Sequence, residues 1–243
     1  MSLPTLYSGT KNASSWAMRA WLALKHAGVE FEEVVIDIRR PQRFENLRAL
    51  ARSSPSATVP LLVVDGRSIF DSVAIMEFAN DCCGGALLPA DPVARAQARS
   101  LVAWQHAGLS NICARISFES GFYPLKRVLS AEEQREGGRL FAYLEQLLTA
   151  MGGPFLYGSL SLADLSLVPA VVRLTRHDLK LDAFPNSRDW AGRLLADAHV
   201  SEWMQFADTL PHIWFEDYLD GPPPEEWTGS LPSGGAACGR ALR

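Results

Sequence analysis

The spacing of apolar positions changes character near residue 90. Before it, short β-prone runs alternate with helical patterns; after it, nearly every segment has helical periodicity. Thr5-Leu6-Tyr7 forms a first strand-like run, and Ser8 to Asn12 has loop composition. Ala13-Ser14-Ser15 then lead into a helix with Met18, Trp21, Leu22 and Lys25 at helical spacing and Arg19 on another face. Gly28 is a plausible stop. Phe31 to Ile38 reads as a strand, and Arg39 to Leu50 as a polar loop with a short helix. A buried-type strand runs from Val59 to Val64. Asp65-Gly66 is a hairpin signal, and Ser68-Ile69-Phe70 is the return strand. Asp71-Ser72 cap a helix carrying Ile75, Phe78 and Ala79 on one face.

The resulting order, β-α-β-α-β-β-α, predicts a mixed four-stranded sheet whose first crossover is right-handed, which is the thioredoxin-like arrangement. Gly84-Gly85 close this unit. Asp91 and Pro92 then make an N-cap and N1 pair for a helix reaching to about Ile116. Ser130 to Glu133 is a capping box for a helix to about Ala150. Ser161 to Asp164 open a third helix with almost no polar face before Arg173, placing it at the centre of a helical bundle. Two more helices fit 185–197 and 200–208. The fold class is α/β plus all-α: a thioredoxin-like domain over 1–84, a linker over 85–91, a helical domain over 92–219, and an irregular or disordered tail over 220–243.

Composition narrows the class. The chain has 243 residues, enough for one large domain or two small ones. A net charge of −4 without a Lys/Arg block argues against a nucleic-acid binder. Four cysteines, with Cys82 and Cys83 adjacent and no CxxC, make a disulfide framework or a structural zinc site a poor reading. No metal or organic cofactor is implied. Neither a signal peptide nor a run long enough to cross a membrane is visible, so the expectation is a cytoplasmic protein.

Three local features would meet at one end of the α/β unit. Ser14-Ser15 begin the first helix; the ordinary reading is N-capping, and the chemical one is a hydroxyl that donates to a thiolate in the helix-terminal field. Val59-Pro60 opens a strand where proline lacks its donor. It is either an ordinary trans strand start or a cis bond leaving the Val59 backbone free for a ligand. Asp71-Ser72 is a cap by one reading. By the other it is an anion site, with Ser72 and helix N–H groups on a carboxylate and Asp71 on an ammonium.

In this order the features resemble the cytosolic glutathione transferases. The likeness covers 5–80, and Gly158-Ser159-Leu160-Ser161-Leu162-Ala163-Asp164 is similar to the family's buried capping motif. The resemblance implies a protein that binds glutathione as cosubstrate, favours its thiolate and adds it to a small electrophile. Val59 would pair with the cysteinyl backbone of glutathione, Pro60 would be cis, and Asp71 and Ser72 would hold the γ-glutamyl end. Ser14 would activate the thiol, while Ser161 and Asp164 would be structural. Aligned on Met18-Arg19-Ala20-Trp21, Ser14 falls where some bacterial members carry serine or cysteine. Asn12 falls where the zeta and theta-type serine lies, so Asn12 and Ser15 stay open as alternatives, and Tyr7 lies inside the first strand. The Gly158-x-x-Ser161 spacing is one residue shorter than the commoner form and suggests a bacterial serine-type subgroup with zeta-like features.

Arg39, Arg40 and Gln42 are candidates for the glycine carboxylate. Trp16, Trp104, His106, Phe118, Phe122 and Tyr123 are candidates for the electrophile wall, or else core aromatics. Cys82 and Cys83 end a helix and read as structural. Alternative activities are a glutathione-dependent cis–trans isomerase of the maleylacetoacetate type, with Arg115 or Arg173 meeting a dicarboxylate, and a peroxide reductase. A non-catalytic binding module on the same fold is a further alternative. A homodimer is also implied.

Overall fold

β1 (Thr5–Gly9) is the inner strand on which the first half is built. The computed structural model describes residues 2–38, 43–48, 50, 54–107, 109 and 112–212. The sheet order is β2 (Glu32–Ile36), β1, β3 (Leu61–Val64), β4 (Arg67–Phe70). β1 runs parallel to β2, with Tyr7 opposite Val34, and antiparallel to β3, with Leu6 opposite Leu62. Asp65 and Gly66 turn β3 into β4 with φ of 47° and 74°, the positive values that a two-residue hairpin needs. Strand alternation splits the core. Leu6 and Leu62 join the main apolar cluster, while Tyr7 and Leu61 pack with Leu47 and Leu50 in a second one.

α1 (Ser15–His26) is buried at Ser15 and from Ala17 to Leu24, with Trp16 exposed, because it is covered on two sides. α3 (Ser72–Cys82) packs on it within the α/β half, and α7 (Leu162–Arg176) and α9 (Ala198–Asp208) pack on it from the helical half. α2 (Arg43–Arg48) is the short helix expected after β2. One apolar cluster therefore runs from Leu6 through α1 and α7 to Trp203.

The helical half departs from expectation in two places. α4 (Pro92–His106) ends ten residues before Ile116: Ala107 caps it and Leu109 takes φ 46°, which no helix can continue through. A short α5 (Ile112–Arg115) and a 3-10 turn (Glu119–Phe122) follow. α8 (Pro185–Leu195) also stops early, because Asp197 caps the next helix instead, accepting the N–H groups of His199 and Val200. α6 (Ala131–Met151) begins at the expected Ser130/Glu133 capping box and ends at Gly152 in the left-handed region. The predicted tail over 220–243 lies outside the described residues.

Asp164 is the polar centre of the helical half. Its Oδ1 accepts the N–H of Leu156 at 3.0 Å and the indole N–H of Trp190 at 2.9 Å; its Oδ2 accepts the N–H of Ser161 at 2.9 Å and that residue's hydroxyl at 2.7 Å. Burial outweighs these donors and raises its pKa above the usual carboxylate range.

Candidate functional site

The site forms where the end of β1 delivers the chain to the start of α1. Thr10 O accepts the N–H groups of Ala13 and Ser14, both at 2.9 Å, which tightens the loop. Ser14 then caps α1, its Oγ accepting the N–H of Ala17 at 3.2 Å; its own hydroxyl proton is left to donate elsewhere. Gly9 lets this happen. A Cβ there would lie 2.7 Å from Ser14 Cβ and 2.9 Å from Val59 Cγ2, so only glycine allows the two walls to approach.

A cleft of about 490 Å³ opens at this point between the two halves. Ser14, Ser15 and Trp16 line one side, and Val59 with Pro60, joined by a cis peptide bond, line the opposite one. Asp71 and Ser72 close one end; His106, Cys113, Phe118 and Arg173 come from the helical half. Asp71 caps α3 with φ 83°, its Oδ1 accepting the N–H of Val73 at 2.8 Å and that of Ala74 at 3.3 Å. Its Oδ2 lies 3.2 Å from His106 Nε2. The His106 ring meets Trp16 edge-on at 5.3 Å.

Three side chains of this cleft, Ser72, His106 at Nδ1 and Arg173, carry buried polar atoms with no partner among the described residues. Ser72 Oγ, in a residue only 2% exposed, makes no hydrogen bond among the described residues. Arg173, 6% exposed, donates from Nη2 to Ser15 Oγ at 3.1 Å and lies 5.4 Å from the Phe118 ring; its Nε and Nη1 meet no acceptor among the described residues. Native proteins seldom leave such donors unsatisfied, and a cleft is where a ligand satisfies them. The arrangement suits anions twice over. The α1 terminus, the two serine hydroxyls and the Arg173 charge favour a thiolate, and Ser72 at the α3 terminus favours a carboxylate.

Arg19 backs the cleft wall without lining it, a supporting place the sequence reading does not assign. It is fully buried, donating from Nε to Ser166 O at 2.8 Å and from Nη1 to Ser15 O at 3.0 Å, with its guanidinium 4.7 Å from the Trp16 ring. Burial, then the Arg173 charge, pull its pKa down, yet a guanidinium this basic keeps its proton. A single arginine within the otherwise apolar run from Ala17 to Leu24 is the available signal. Cys113 was also missed; it stands on the four-residue α5, where no periodic pattern could mark a face.

The cleft thus brings together Ser14, Ser15, Trp16, Val59, Pro60, Asp71, Ser72, His106, Phe118 and Arg173. Other candidates lie elsewhere. Asn12 is buried and turned away, its amide donating to Pro211 O at 2.9 Å. Trp104 is two residues from His106, about 200° around α4, and stands with Tyr143 in an outer groove. Phe122 packs beneath Phe118 and under the Arg176 guanidinium. Tyr123 is buried outside the cleft walls, and Tyr7 faces the second apolar cluster. Arg115 pairs with Glu132 at 2.5 Å on the surface. Cys82 is exposed at the end of α3, and the Cys83 thiol donates to Asn80 O. Arg39, Arg40 and Gln42 lie outside the described residues.

Comparison with known proteins gives a consistent picture. The family model for the glutathione S-transferase N-terminal domain matches residues 13–82, and that for the glutathione S-transferase C-terminal domain matches 126–206. A probable maleylacetoacetate isomerase of Caenorhabditis elegans is 30% identical over 197 residues, covering 75% of this chain and 84% of that protein. The Mus musculus maleylacetoacetate isomerase is 30% identical over 205 residues, covering 79% and 88%. A Burkholderia glutathione transferase homologue, solved with bound glutathione, superposes with a TM-score of 0.62 at 23% identity, covering 85% of this chain and 98% of its own.

Proposed function

From the premise that the chain belongs to the glutathione S-transferase family, we propose that the cleft binds glutathione, stabilises its thiolate and delivers it to a small electrophile. The observation that supports this best is the meeting of three features in one cavity: the α1 terminus with Ser14, the Val59-Pro60 edge, and the unpartnered Ser72 hydroxyl. Ser72 and the α3 terminus take the γ-glutamyl carboxylate, and Asp71 its ammonium. The Val59 backbone pairs with the cysteinyl residue. Ser14 donates to the sulfur, with Ser15 and the Arg173 charge alongside. Trp16, Phe118 and His106 wall the electrophile. Proximity and fixed dipoles supply the catalysis.

The second reading is cis–trans isomerisation of an unsaturated dicarboxylate: the thiolate adds to the activated double bond, the new single bond rotates, and the thiolate is expelled. Arg173 favours it, since its Nε and Nη1, without an acceptor among the described residues, suit a substrate carboxylate. Relatives named maleylacetoacetate isomerases favour it as well. One experiment tests both readings. Turnover is measured with an aryl halide, an organic hydroperoxide and maleylacetone, for the wild type and Arg173→Gln, beside calorimetric titration with glutathione. Under the isomerase reading, Arg173→Gln loses about tenfold or more on maleylacetone and far less on the aryl halide, the worth of one charge-assisted pair. Equal losses on both substrates sink the carboxylate role, and no binding at millimolar glutathione sinks the whole assignment.

We read the chain as a cytoplasmic homodimer with domains over 1–84 and 92–219. Phe70 on β4 and Trp104 with Tyr143 on the helical half are large exposed apolar groups of the kind a partner copy covers. Sedimentation at micromolar concentration should give twice the chain mass, and a monomer would end that reading. Among the described residues no helix is long and apolar enough to cross a membrane.

A further inference from the structure

Behind the cleft, the loop from Thr10 to Ser14 is held by the far end of the chain. Its residues are all buried, although Lys11 and Asn12 are polar. Lys11 Nζ pairs with Glu33 at 2.7 Å and lies 3.9 Å from the Trp203 ring and 4.9 Å from the Trp21 ring. The Trp203 indole N–H donates to Lys11 O at 3.0 Å. The Asn12 amide donates to Pro211 O at 2.9 Å and reaches Leu210 O at 3.5 Å. Thus α9 and the residues just after it grip two consecutive loop residues, one by its carbonyl and one by its side chain. Ser14 follows two residues later, its N–H donating to Thr10 O. Neither Asn12 nor Trp203 lines the cleft.

We propose that Asn12 and Trp203 are positioning residues: the end of α9 sets the loop that places Ser14, so the last helix of the helical half tunes the thiol chemistry of the α/β half. This rests on the reading of Ser14 as the group that donates to glutathione sulfur. It also gives Asn12 a task unlike that of the serine at the matching position in zeta-like enzymes. A hydroxyl that stabilises a thiolate works only at hydrogen-bond distance, so a displacement of a few tenths of an ångström costs rate before it costs binding. Glutathione affinity, in contrast, draws mostly on Val59, Asp71 and Ser72.

The test uses the full chain carrying Trp203→Phe, Asn12→Ala or Asn12→Asp, the last keeping the shape while losing the donor. Three quantities are read: glutathione affinity by calorimetry, turnover on a neutral aryl halide at saturating glutathione, and the near-ultraviolet thiolate absorbance of bound glutathione against pH. Each variant should lose about three- to tenfold in turnover, the worth of one hydrogen bond expressed as a rate. The thiolate titration should move to higher pH, while affinity stays within about twofold. Wild-type turnover and titration in Trp203→Phe, with only melting temperature lowered, would reduce the contact to packing and overturn the proposal. A loss confined to the Asn12 variants would overturn it too, since Asn12 would then act on the thiol itself. Failure of the wild type to bind glutathione, or an unaffected Ser14→Ala, would instead strike the underlying assignment.

Discussion

Ser14→Ala should lower turnover about 10- to 100-fold while glutathione affinity, followed by calorimetry, changes by less than about threefold. The split follows from the geometry. The hydroxyl accepts the Ala17 N–H and keeps its proton free to donate into the cleft. A hydrogen bond to a charged group is worth about 1.5–3 kcal/mol, and each 1.4 kcal/mol of transition-state stabilisation is about a factor of ten. In the proposed binding mode the γ-glutamyl carboxylate and the cysteinyl backbone are held elsewhere, so binding is expected to survive. The variant also removes a helix cap at a cost of about 1 kcal/mol, and its melting temperature should fall by only about 2–4 °C in a chain of this size. Unchanged turnover would transfer the role to Ser15, whose hydroxyl is polarised by Arg173.

Asp164→Ala should destabilise the fold by about 3–5 kcal/mol, with a fall in melting temperature on the order of 10 °C. Alanine leaves the Leu156 and Ser161 N–H groups and the Trp190 indole N–H facing nothing, in a place that water does not reach. Each buried orphan costs about 1–3 kcal/mol, partly recovered by relaxation. Against a total of about 5–15 kcal/mol, that is a large share. Ser161→Ala removes one donor and should cost about 1 kcal/mol. Scanning calorimetry decides the matter: a shift within 2–3 °C of wild type for Asp164→Ala would mean that the four contacts contribute little.

The elements that formed locally could be read in advance. Ser14, Asp71, Asp91, Ser130 and Ser161 each announce a helix start, because a cap is decided within three or four residues. Asp65-Gly66 fixes the hairpin for the same reason. Where the chain was misjudged, the deciding fact was either a backbone angle or a distant partner. Gly108, Ser110 and Asn111 are stop signals that a helix drawn to Ile116 passes over, though none of them shows that Leu109 itself takes the positive φ, and Asp197 suits the close of one helix as well as the opening of the next. The site divides in the same manner. Ser14, Val59, Pro60, Asp71 and Ser72 belong to short motifs. Trp104 and His106 lie two apart on one helix with similar chemistry, and only the packing of α4 on α7 decides which ring faces the cleft. Arg19 and Asn12 take their meaning from Ser166 and Pro211, partners about 150 and 200 residues away.

The double-sided burial of α1 bears on how such a chain can be recombined. Its two halves have different architectures, yet the seam is not a clean joint. Arg19 needs the carbonyl of Ser166, Lys11 needs the ring and indole of Trp203, and Ser15 needs the guanidinium of Arg173. Grafting this α/β half onto a foreign helical half would strip the buried Arg19 of its Ser166 acceptor and uncover the Lys11–Glu33 pair at once. A functional chimera would have to carry α1 together with its contacts on α7 and α9, so the smallest exchangeable unit is that three-helix seam, and a cut at residues 85–91 would divide it.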